Sequence, residues 1–196
     1  MLLEAVRGHR LEALFVLALA TGLRQGELLG LCWSDVDLDR GTLFVRHALQ
    51  RVNGEPQLVE PKTDRSRRQL ALPRTAVEHL RRLRTTQDRE RDTAGVTRQN
   101  PDLVFSRAGE PLEGTGVTHV FQQALERAGL PKMRFHDLRH ACASFLLAEG
   151  ASMRVIMEQL GHSNIGLTMN VYSHLMPDAL RDAADKMEAV LSPKSG

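Results

Sequence analysis

The fold starts from one apolar stretch of this 196-residue chain, Leu11-Glu-Ala-Leu-Phe-Val-Leu-Ala-Leu-Ala-Thr-Gly-Leu-Arg-Gln-Gly-Glu-Leu-Leu-Gly-Leu31. Residues 11–20 are apolar on nearly every side, which predicts a helix that is buried all round. The helix is predicted to break at Thr21-Gly22, because glycine readily adopts the left-handed conformation found at helix ends. The apolar pattern resumes from Leu23 to Leu31 and predicts a second helix.

Short strands are predicted after this helix pair. Val36 to Leu38 and Thr42 to Val45 flank Asp39-Arg40-Gly41, a sequence typical of a hairpin turn. Two more short strands are predicted further along, with a turn between them that contains Lys62. They are Gln57 to Val59 and Gln69 to Leu72.

The rest of the chain is predicted to be mainly helical. Pro73-Arg74-Thr75 opens a helix to about Arg84, and the polar residues Thr85 to Asn100 predict a mobile loop. Later helices are predicted to begin near Thr115, His136, Ser152, Asn164 and Pro177, with Gly129, Gly150 and Gly161 between them. Together these elements predict the α+β class, a mostly helical catalytic domain with a small antiparallel sheet.

Composition narrows the class of protein. Hydrophobic residues make up 42% and charged residues 26%, as in ordinary globular proteins. The longest apolar run, Ala13 to Ala20, is too short to span a bilayer, and the N-terminus lacks the layout of a secretory signal. Cys32 and Cys142 lie among apolar neighbours without a metal-ligand spacing, so we expect reduced core thiols in a cytoplasmic protein.

Charge is spread unevenly along the chain, although the net charge is only +2. Between Arg46 and Arg91 there are twelve Lys or Arg residues and six Asp or Glu residues, a local excess of six positive charges. Such a basic region favours a polyanionic partner. A helix face exposed to water could carry the same excess of positive charge without such a partner.

Four segments carry most of the chemically informative side chains. They are Ala20-Thr-Gly-Leu-Arg-Gln-Gly-Glu-Leu-Leu-Gly-Leu-Cys-Trp-Ser-Asp-Val-Asp37, Pro61-Lys-Thr-Asp-Arg-Ser-Arg-Arg68, Phe135-His-Asp-Leu-Arg-His140, and Leu160-Gly-His-Ser-Asn164 with Tyr172-Ser-His174 after it. In this order, over nearly the whole chain, the segments resemble the catalytic domain of tyrosine recombinases, the family of phage integrases and Xer-type resolvases. A single segment would be a common chance match, whereas all four in order are specific.

The resemblance implies a role for each matching residue. Arg24 and Arg139 match the paired catalytic arginines, Lys62 the lysine of a β-hairpin turn, His136 and His162 the two histidines, and Tyr172 the nucleophile. Glu27 matches an acidic supporting position, and His140 is expected to support the site. The resemblance also implies double-stranded DNA as the partner, a homotetramer assembled on that DNA, and neither a metal nor another cofactor.

The chemistry of DNA strand transfer suits these residue types. A tyrosine that attacks the phosphodiester keeps the bond energy in a 3′-phosphotyrosine link, so no ATP is needed. Guanidinium groups can balance the negative charge that gathers on the non-bridging oxygens. The departing 5′-oxygen needs a proton, and the sequence leaves open how Lys62 and His136 divide the acid and base roles.

Helical geometry predicts two faces for the helix that starts at His136. One side carries the apolar residues Leu138, Ala141, Cys142 and Phe145, and the other carries His136, Arg139 and His140. We therefore predict that the first face anchors the helix in the core and that the second meets the phosphate.

Two other functions fit part of the pattern. His136 and His140 have the i, i+4 spacing of two zinc ligands, but Asp137 stands where the zincin signature has a glutamate. A third ligand would have to come from His162 or His174. Alternatively, the helices between Ser152 and Tyr172 resemble the helix-turn-helix of a DNA-binding module without catalysis.

The resemblance to the tyrosine recombinase catalytic domain begins almost at Met1. Family members usually carry a helical core-binding domain ahead of this region, so the resemblance implies that residues 1–196 are the catalytic domain of a longer protein, without that N-terminal domain. The apolar spacing of residues 177–192 predicts a C-terminal amphipathic helix. In the family this helix usually packs on a neighbouring subunit, and in the free protein it is expected to be able to fold back on its own domain.

Overall fold

The computed structural model describes residues 2–60, 67–95 and 102–161, which form helices, short strands and the turns and loops between them. The helices are α1 (Leu2–Ala5), α2 (Glu12–Thr21), α3 (Gln25–Leu29), α4 (Arg74–Ala94), α5 (Gly114–Arg127), α6 (Asp137–Ala148) and α7 (Met153–Leu160). The strands are β1 (Val36–Asp37), β2 (Thr42–Val45), β3 (Ala48–Val52), β4 (Glu55–Val59), β5 (Arg68–Ala71), β6 (Ser106–Arg107) and β7 (Glu110–Pro111). The predicted α+β class is confirmed.

The strands form small antiparallel sheets, with the orders β1-β2-β5, β3-β4 and β6-β7. The predicted strands on either side of Lys62 are present as β4 and β5, but β4 pairs with β3 and β5 pairs with β2. The sequence analysis missed β3, although Asn53-Gly54 is a typical two-residue hairpin turn. Asn53 and Gly54 both have positive φ angles, 54° and 89°, which this turn requires.

Helix α2 forms the centre of the core, as predicted. Leu14, Phe15 and Leu17 are fully buried, and the Phe15 ring lies 5.9 Å from that of Phe121 in α5. The predicted break after α2 is also confirmed, because Gly22 adopts a left-handed conformation with φ 65°. This sharp turn brings the start of α3 next to the end of α2.

The predicted mobile loop from Thr85 to Asn100 is wrong as far as Ala94, because α4 continues to that residue. The reason lies in Gln87, which is only 5% exposed. Its side chain accepts a hydrogen bond from Trp33 Nε1 at 2.9 Å and donates one to the Val104 carbonyl at 3.0 Å. A polar residue that is fully hydrogen-bonded can be buried at little cost, so a polar sequence here still forms a packed helix.

Helices α5, α6 and α7 confirm the later helix predictions, and α7 ends at Gly161 in a left-handed conformation. The helices predicted from Asn164 and from Pro177 lie outside the described residues. Cys32 and Cys142 are buried and unbridged, as predicted for core thiols. Within the described residues, we find no helix with the length and apolar character that crossing a membrane requires.

The contact between α3 and β3 depends on Gly30. A Cβ atom at this position would lie 2.6 Å from the backbone nitrogen of Leu49 and 2.9 Å from backbone atoms of Ala48. We expect Gly30→Ala to lower the free energy of unfolding by about 1–3 kcal/mol, because backbone atoms must move apart. Urea denaturation measures this change.

Gly116→Ala in α5 is the matched control, since its Cβ would meet nothing within 4 Å. Alanine is the better helix former, so this variant should be more stable than the wild type by about 1 kcal/mol. A Gly30→Ala protein as stable as the wild type would show that α3 and β3 are not in such close contact.

Candidate active site

Arg24 lies at the N-cap of α3 and is held by Glu27 in the first turn. Glu27 accepts a hydrogen bond from the Arg24 backbone N–H at 3.0 Å and another from Arg24 Nη1 at 2.9 Å. The Glu27 side chain is 5% exposed, whereas that of Arg24 is 42% exposed. The buried carboxylate therefore orients a guanidinium group whose outer part faces solvent.

Arg139 in α6 lies on the inner side of the same region and is 2% exposed. Its Nη1 donates a hydrogen bond to the Gly22 carbonyl at 2.7 Å, and its Nη2 donates one to the Leu160 carbonyl. These carbonyls stand at the C-terminal ends of α2 and α7, where backbone acceptors lack partners within the helix and the helix dipole favours a cation. One side chain thus joins the ends of two helices.

The predicted division of α6 into two faces is wrong for two residues. Arg139 is buried together with Leu138 and Cys142, while Phe145 is 63% exposed. The reason is that α6 packs against both α2 and α7, so more of its circumference is covered than one apolar stripe suggests. A guanidinium group is tolerated inside because two helix ends supply its acceptors.

Burial, together with the positive charge of Arg24, lowers the pKa of Arg139 to about 9. The group still carries its charge at neutral pH. The charges of Glu27 and Arg68 also affect this pKa. Arg139, Arg24, Glu27 and Arg68 are therefore close enough for their charges to interact.

Arg68 was missed as a site residue by the sequence analysis. It lies in β5, its side chain is 7% exposed, and its Nη2 contacts Glu27 Oε2 at 3.1 Å. Its Nε donates a hydrogen bond to the Gln159 carbonyl at 2.7 Å. The sequence did hold an indication that Arg68 points inward. Side chains two residues apart in a strand point to the same face, and Leu70, two residues after Arg68, is a core residue.

The electrostatics of Glu27 depend on its arginine partners. Burial alone would raise the pKa of this carboxyl, but the charge and hydrogen bonds of Arg68 and the backbone N–H of Arg24 outweigh that effect and lower it. Glu27 is therefore ionised at neutral pH. A buried carboxylate that is ionised needs such partners, and here they are the arginines of the site.

His136 lies directly before α6, and its ring centroid is 5.2 Å from that of His140 in an edge-on arrangement. Burial lowers the pKa of His136, and the nearby His140, Arg139 and Arg24 lower it further. The imidazole is therefore kept neutral and able to accept a proton. Asp137 accepts hydrogen bonds from the backbone and side chain of Arg134, which holds the entry into α6.

The described residues bring together five of the predicted site residues, namely Arg24, Glu27, His136, Arg139 and His140, and they add Arg68. Lys62, His162 and Tyr172 lie outside the described residues, and their roles stay predictions. His174, the doubtful metal ligand, lies outside them as well.

Potential metal ligands come together at one place within residues 2–60, 67–95 and 102–161. Donor atoms of Cys32, Asp35 and His47 lie within 4.8 Å of one another. This group contains neither His136 nor His140, and Asp35 lies 3.3 Å from Arg46 Nη1 in an ion pair. The alternative metal site at His136 and His140 therefore has no third ligand within the described residues.

An open groove of about 970 Å³ adjoins the start of α3 and is lined by residues of α3, the β3-β4 hairpin and the start of α5. Gln25, the residue after Arg24, lines it and donates hydrogen bonds to the Gly114 carbonyl and the Thr118 hydroxyl at 3.0 and 3.1 Å. Arg51 and His119 also line this groove. Glu55 and Glu113 line the groove as well, and Arg51 pairs with Glu113, so its walls offer polar groups and charges of both signs near the start of α3.

Several recombinases and integrases are similar to this chain over most of its length. A tyrosine recombinase XerC-like protein of Caldanaerobacter subterraneus subsp. tengcongensis is 36% identical, over 94% of this chain and 50% of that protein. The ICEBs1 integrase of Bacillus subtilis is 27% identical, over 92% of this chain and 49% of that protein. The chain thus spans about half the length of these relatives.

Solved structures share the fold. The Tn1549 transposon integrase in complex with transposon right end DNA has a TM-score of 0.79 and 24% identity, over 94% of this chain and 62% of that one. The XerA recombinase has a TM-score of 0.70 and 24% identity, over 99% and 62%. The model of the phage integrase family matches residues 2–178, which confirms the resemblance of the four segments: the chain belongs to the phage integrase family.

Proposed function

We propose that this chain is the catalytic domain of a tyrosine-type site-specific DNA recombinase, which cuts and rejoins DNA through a 3′-phosphotyrosine intermediate. The observation that carries the proposal is the arginine cluster, in which Arg24 and Arg139 are fixed by a buried carboxylate and by two helix ends. Membership of the phage integrase family supports the same function.

In the proposed reaction, the Tyr172 hydroxyl oxygen attacks the phosphorus of one DNA strand. The new bond joins the tyrosine oxygen to phosphorus, and the bond from phosphorus to the 5′-oxygen breaks. A base takes the tyrosine proton, and an acid gives a proton to the 5′-oxygen. The phosphoester is exchanged and not lost, so the free 5′-hydroxyl of a second strand can reverse the step without ATP.

Arg24 and Arg139 would stabilise the transition state by balancing the charge on the non-bridging oxygens. Pre-organised donors of this kind are effective because they need no reorganisation during the reaction. Here Glu27 holds Arg24 from one side, and helix-end carbonyls hold Arg139. His162 would add a further hydrogen bond to the same oxygens.

The lowered pKa of His136 favours this residue as the acceptor of the tyrosine proton. Lys62 would then protonate the leaving 5′-oxygen. A neutral imidazole can accept a proton at the start of the reaction, whereas a lysine is normally protonated at neutral pH and can donate one. This assignment extends the sequence analysis, which left the two roles open.

Double-stranded DNA is the proposed partner. The basic region between Arg46 and Arg91 supports this, since its excess of six positive charges favours a polyanionic partner. Wherever Lys and Arg side chains contact phosphates, we expect the affinity for DNA to fall steeply as the salt concentration rises.

The experiment uses the full-length protein and a library of nicked DNA duplexes with randomised sequence, because the target site is unknown. After incubation with a chelator, the mixture is denatured, and DNA attached covalently to protein is isolated and sequenced. Adducts formed in chelator support the recombinase. Adducts that need added zinc would favour a metalloenzyme, and binding without adducts would favour a non-catalytic DNA-binding module.

The pH dependence of cleavage tests the role of His136. Because its pKa is lowered, the neutral form persists as pH falls through about 6.5, the ordinary pKa of histidine. The cleavage rate should therefore hold at that pH and fall only in more acidic solution. Single-turnover rates between about pH 5 and 8 measure this for the wild type and for His136→Gln. If the rate of His136→Gln falls at low pH in the same way as that of the wild type, His136 is not the base.

We also propose that the protein forms a homotetramer on DNA, as the resemblance implies. The apolar spacing of residues 177–192 supports this, since an amphipathic helix there would have an apolar face to bury against a neighbouring subunit. Deleting the residues after Met176 should weaken assembly on paired DNA sites, which light scattering of the complexes detects. Assembly that is unchanged by the deletion would mean that residues 177–196 do not link the subunits.

A further inference from the structure

Arg68 connects three separate elements beneath the arginine cluster. It extends from β5, contacts both oxygens of Glu27 in α3 at 3.4 and 3.1 Å, and donates to the Gln159 carbonyl at the end of α7 at 2.7 Å. With a side chain that is 7% exposed, it is too enclosed to be an ordinary surface cation.

We propose that Arg68 is a positioning residue that holds both predicted catalytic arginines in place. Toward α3 it acts through Glu27, which orients Arg24. Toward α7 it acts through the Gln159 carbonyl, next to the Leu160 carbonyl that accepts from Arg139. The inference rests on the proposed function, because it assigns a role within that reaction.

The geometry requires an arginine. Its flat guanidinium group directs Nε to one acceptor and the two Nη atoms to another, which matches the carbonyl of Gln159 and the carboxylate of Glu27. A lysine keeps the charge but offers only one nitrogen. It can neutralise Glu27 or hold the end of α7, and it cannot do both with the same geometry.

Loss of Arg68 therefore affects the two predicted catalytic arginines together. Without it, Glu27 loses its more buried partner and is left to Arg24 alone. The last turn of α7 loses its tether to β5, and with it the position of the Leu160 carbonyl. Misplacement of reacting groups by about 1 Å is enough to slow an enzyme about 10²-fold.

The experiment compares Arg68→Met and Arg68→Lys with the wild-type full-length protein. The quantities are the single-turnover rate of covalent attachment to nicked DNA and the DNA dissociation constant. We expect a loss of about 10²-fold in rate for Arg68→Met, a smaller loss for Arg68→Lys, and little change in binding. Arg40→Met is the matched control, since Arg40 lies outside the basic region and the site, is 85% exposed and pairs with Asp37 at the surface.

Two readouts separate positioning from a general loss of structure. The first is a DNA substrate whose reacting phosphate is a methylphosphonate, which lacks one charged oxygen and so needs the guanidinium groups less. The rate loss of Arg68→Met should shrink on this substrate, whereas unfolded protein would lose activity equally on both. The second is the double variant Glu27→Gln with Arg68→Met, whose rate loss should be smaller than the product of the two single losses if Arg68 acts through Glu27.

The outcomes distinguish this inference from the proposed function. If the wild type forms no covalent adduct, the proposed function fails. If the wild type forms adducts and Arg68→Met forms them as fast, the positioning role of Arg68 is wrong and the proposed function stands. A rate loss that is equal on the methylphosphonate and on ordinary DNA would also overturn the positioning role.

Discussion

Tyr172→Phe should abolish covalent attachment to DNA while leaving DNA binding nearly intact. Phenylalanine keeps the aromatic ring but lacks the hydroxyl oxygen that would bond to phosphorus. Tyr172 is the single tyrosine among residues 1–196, so no other tyrosine of this domain can replace it. This variant has the largest expected effect, a complete loss of the intermediate.

The measurement is the trapping of adducts between protein and nicked DNA on a denaturing gel. Ser173→Ala is the matched control, since it removes the neighbouring hydroxyl and should leave adduct formation unchanged. Adducts that persist in Tyr172→Phe, or that disappear in Ser173→Ala, would assign the nucleophile to another residue.

Arg139→Lys should lower the rate of covalent attachment about 10²- to 10³-fold, the usual result of removing one donor that stabilises a transition state. The charge is kept, so the loss comes from geometry. Arg139 uses separate nitrogens for the Gly22 and Leu160 carbonyls, and a lysine has only one nitrogen. The single lysine nitrogen cannot occupy both positions, so the hydrogen bond to at least one of these helix ends is weakened and the variant should also unfold at a lower urea concentration.

Arg134→Lys is the control for this variant. Arg134 comes shortly before α6, its side chain is 80% exposed, and it pairs with Asp137 at the surface, so replacement should change neither rate nor stability by much. Single-turnover kinetics and urea denaturation of both variants give the comparison. An Arg139→Lys protein that cleaves at the wild-type rate would show that Arg139 is structural and that the phosphate is held elsewhere.

Several features of the fold and site could be predicted from local sequence. The apolar run before Thr21 predicted α2 and its burial, because a helix without a polar stripe must be covered on all sides. Gly22 marked the turn into α3, since few residues other than glycine adopt a φ of 65° without strain. Arg24, Glu27, His136 and Arg139 were identified in segments with short, specific spacing, and they do lie close together.

Other features were beyond any local pattern. The polar stretch after Arg84 is helical to Ala94 because Gln87 meets Trp33 and Val104, which lie 54 and 17 residues away in the chain. The partners of β4 and β5 were not predicted either, since each pairs with a strand that precedes it, β4 with β3 and β5 with β2. Strand pairing depends on which edges the packed chain leaves accessible, and residue type alone carries little information about that.

The sequence by itself determined the helix breaks, the buried central helix and the residue types of the predicted site. Only the tertiary structure established that Arg139 is buried and that Arg68 belongs to the site. Arg139 bonds to a carbonyl 117 residues away, and Arg68 to one 91 residues away. A cation can be buried when such acceptors surround it. Those acceptors are backbone atoms, which every residue carries, so their position is known only when the chain has folded.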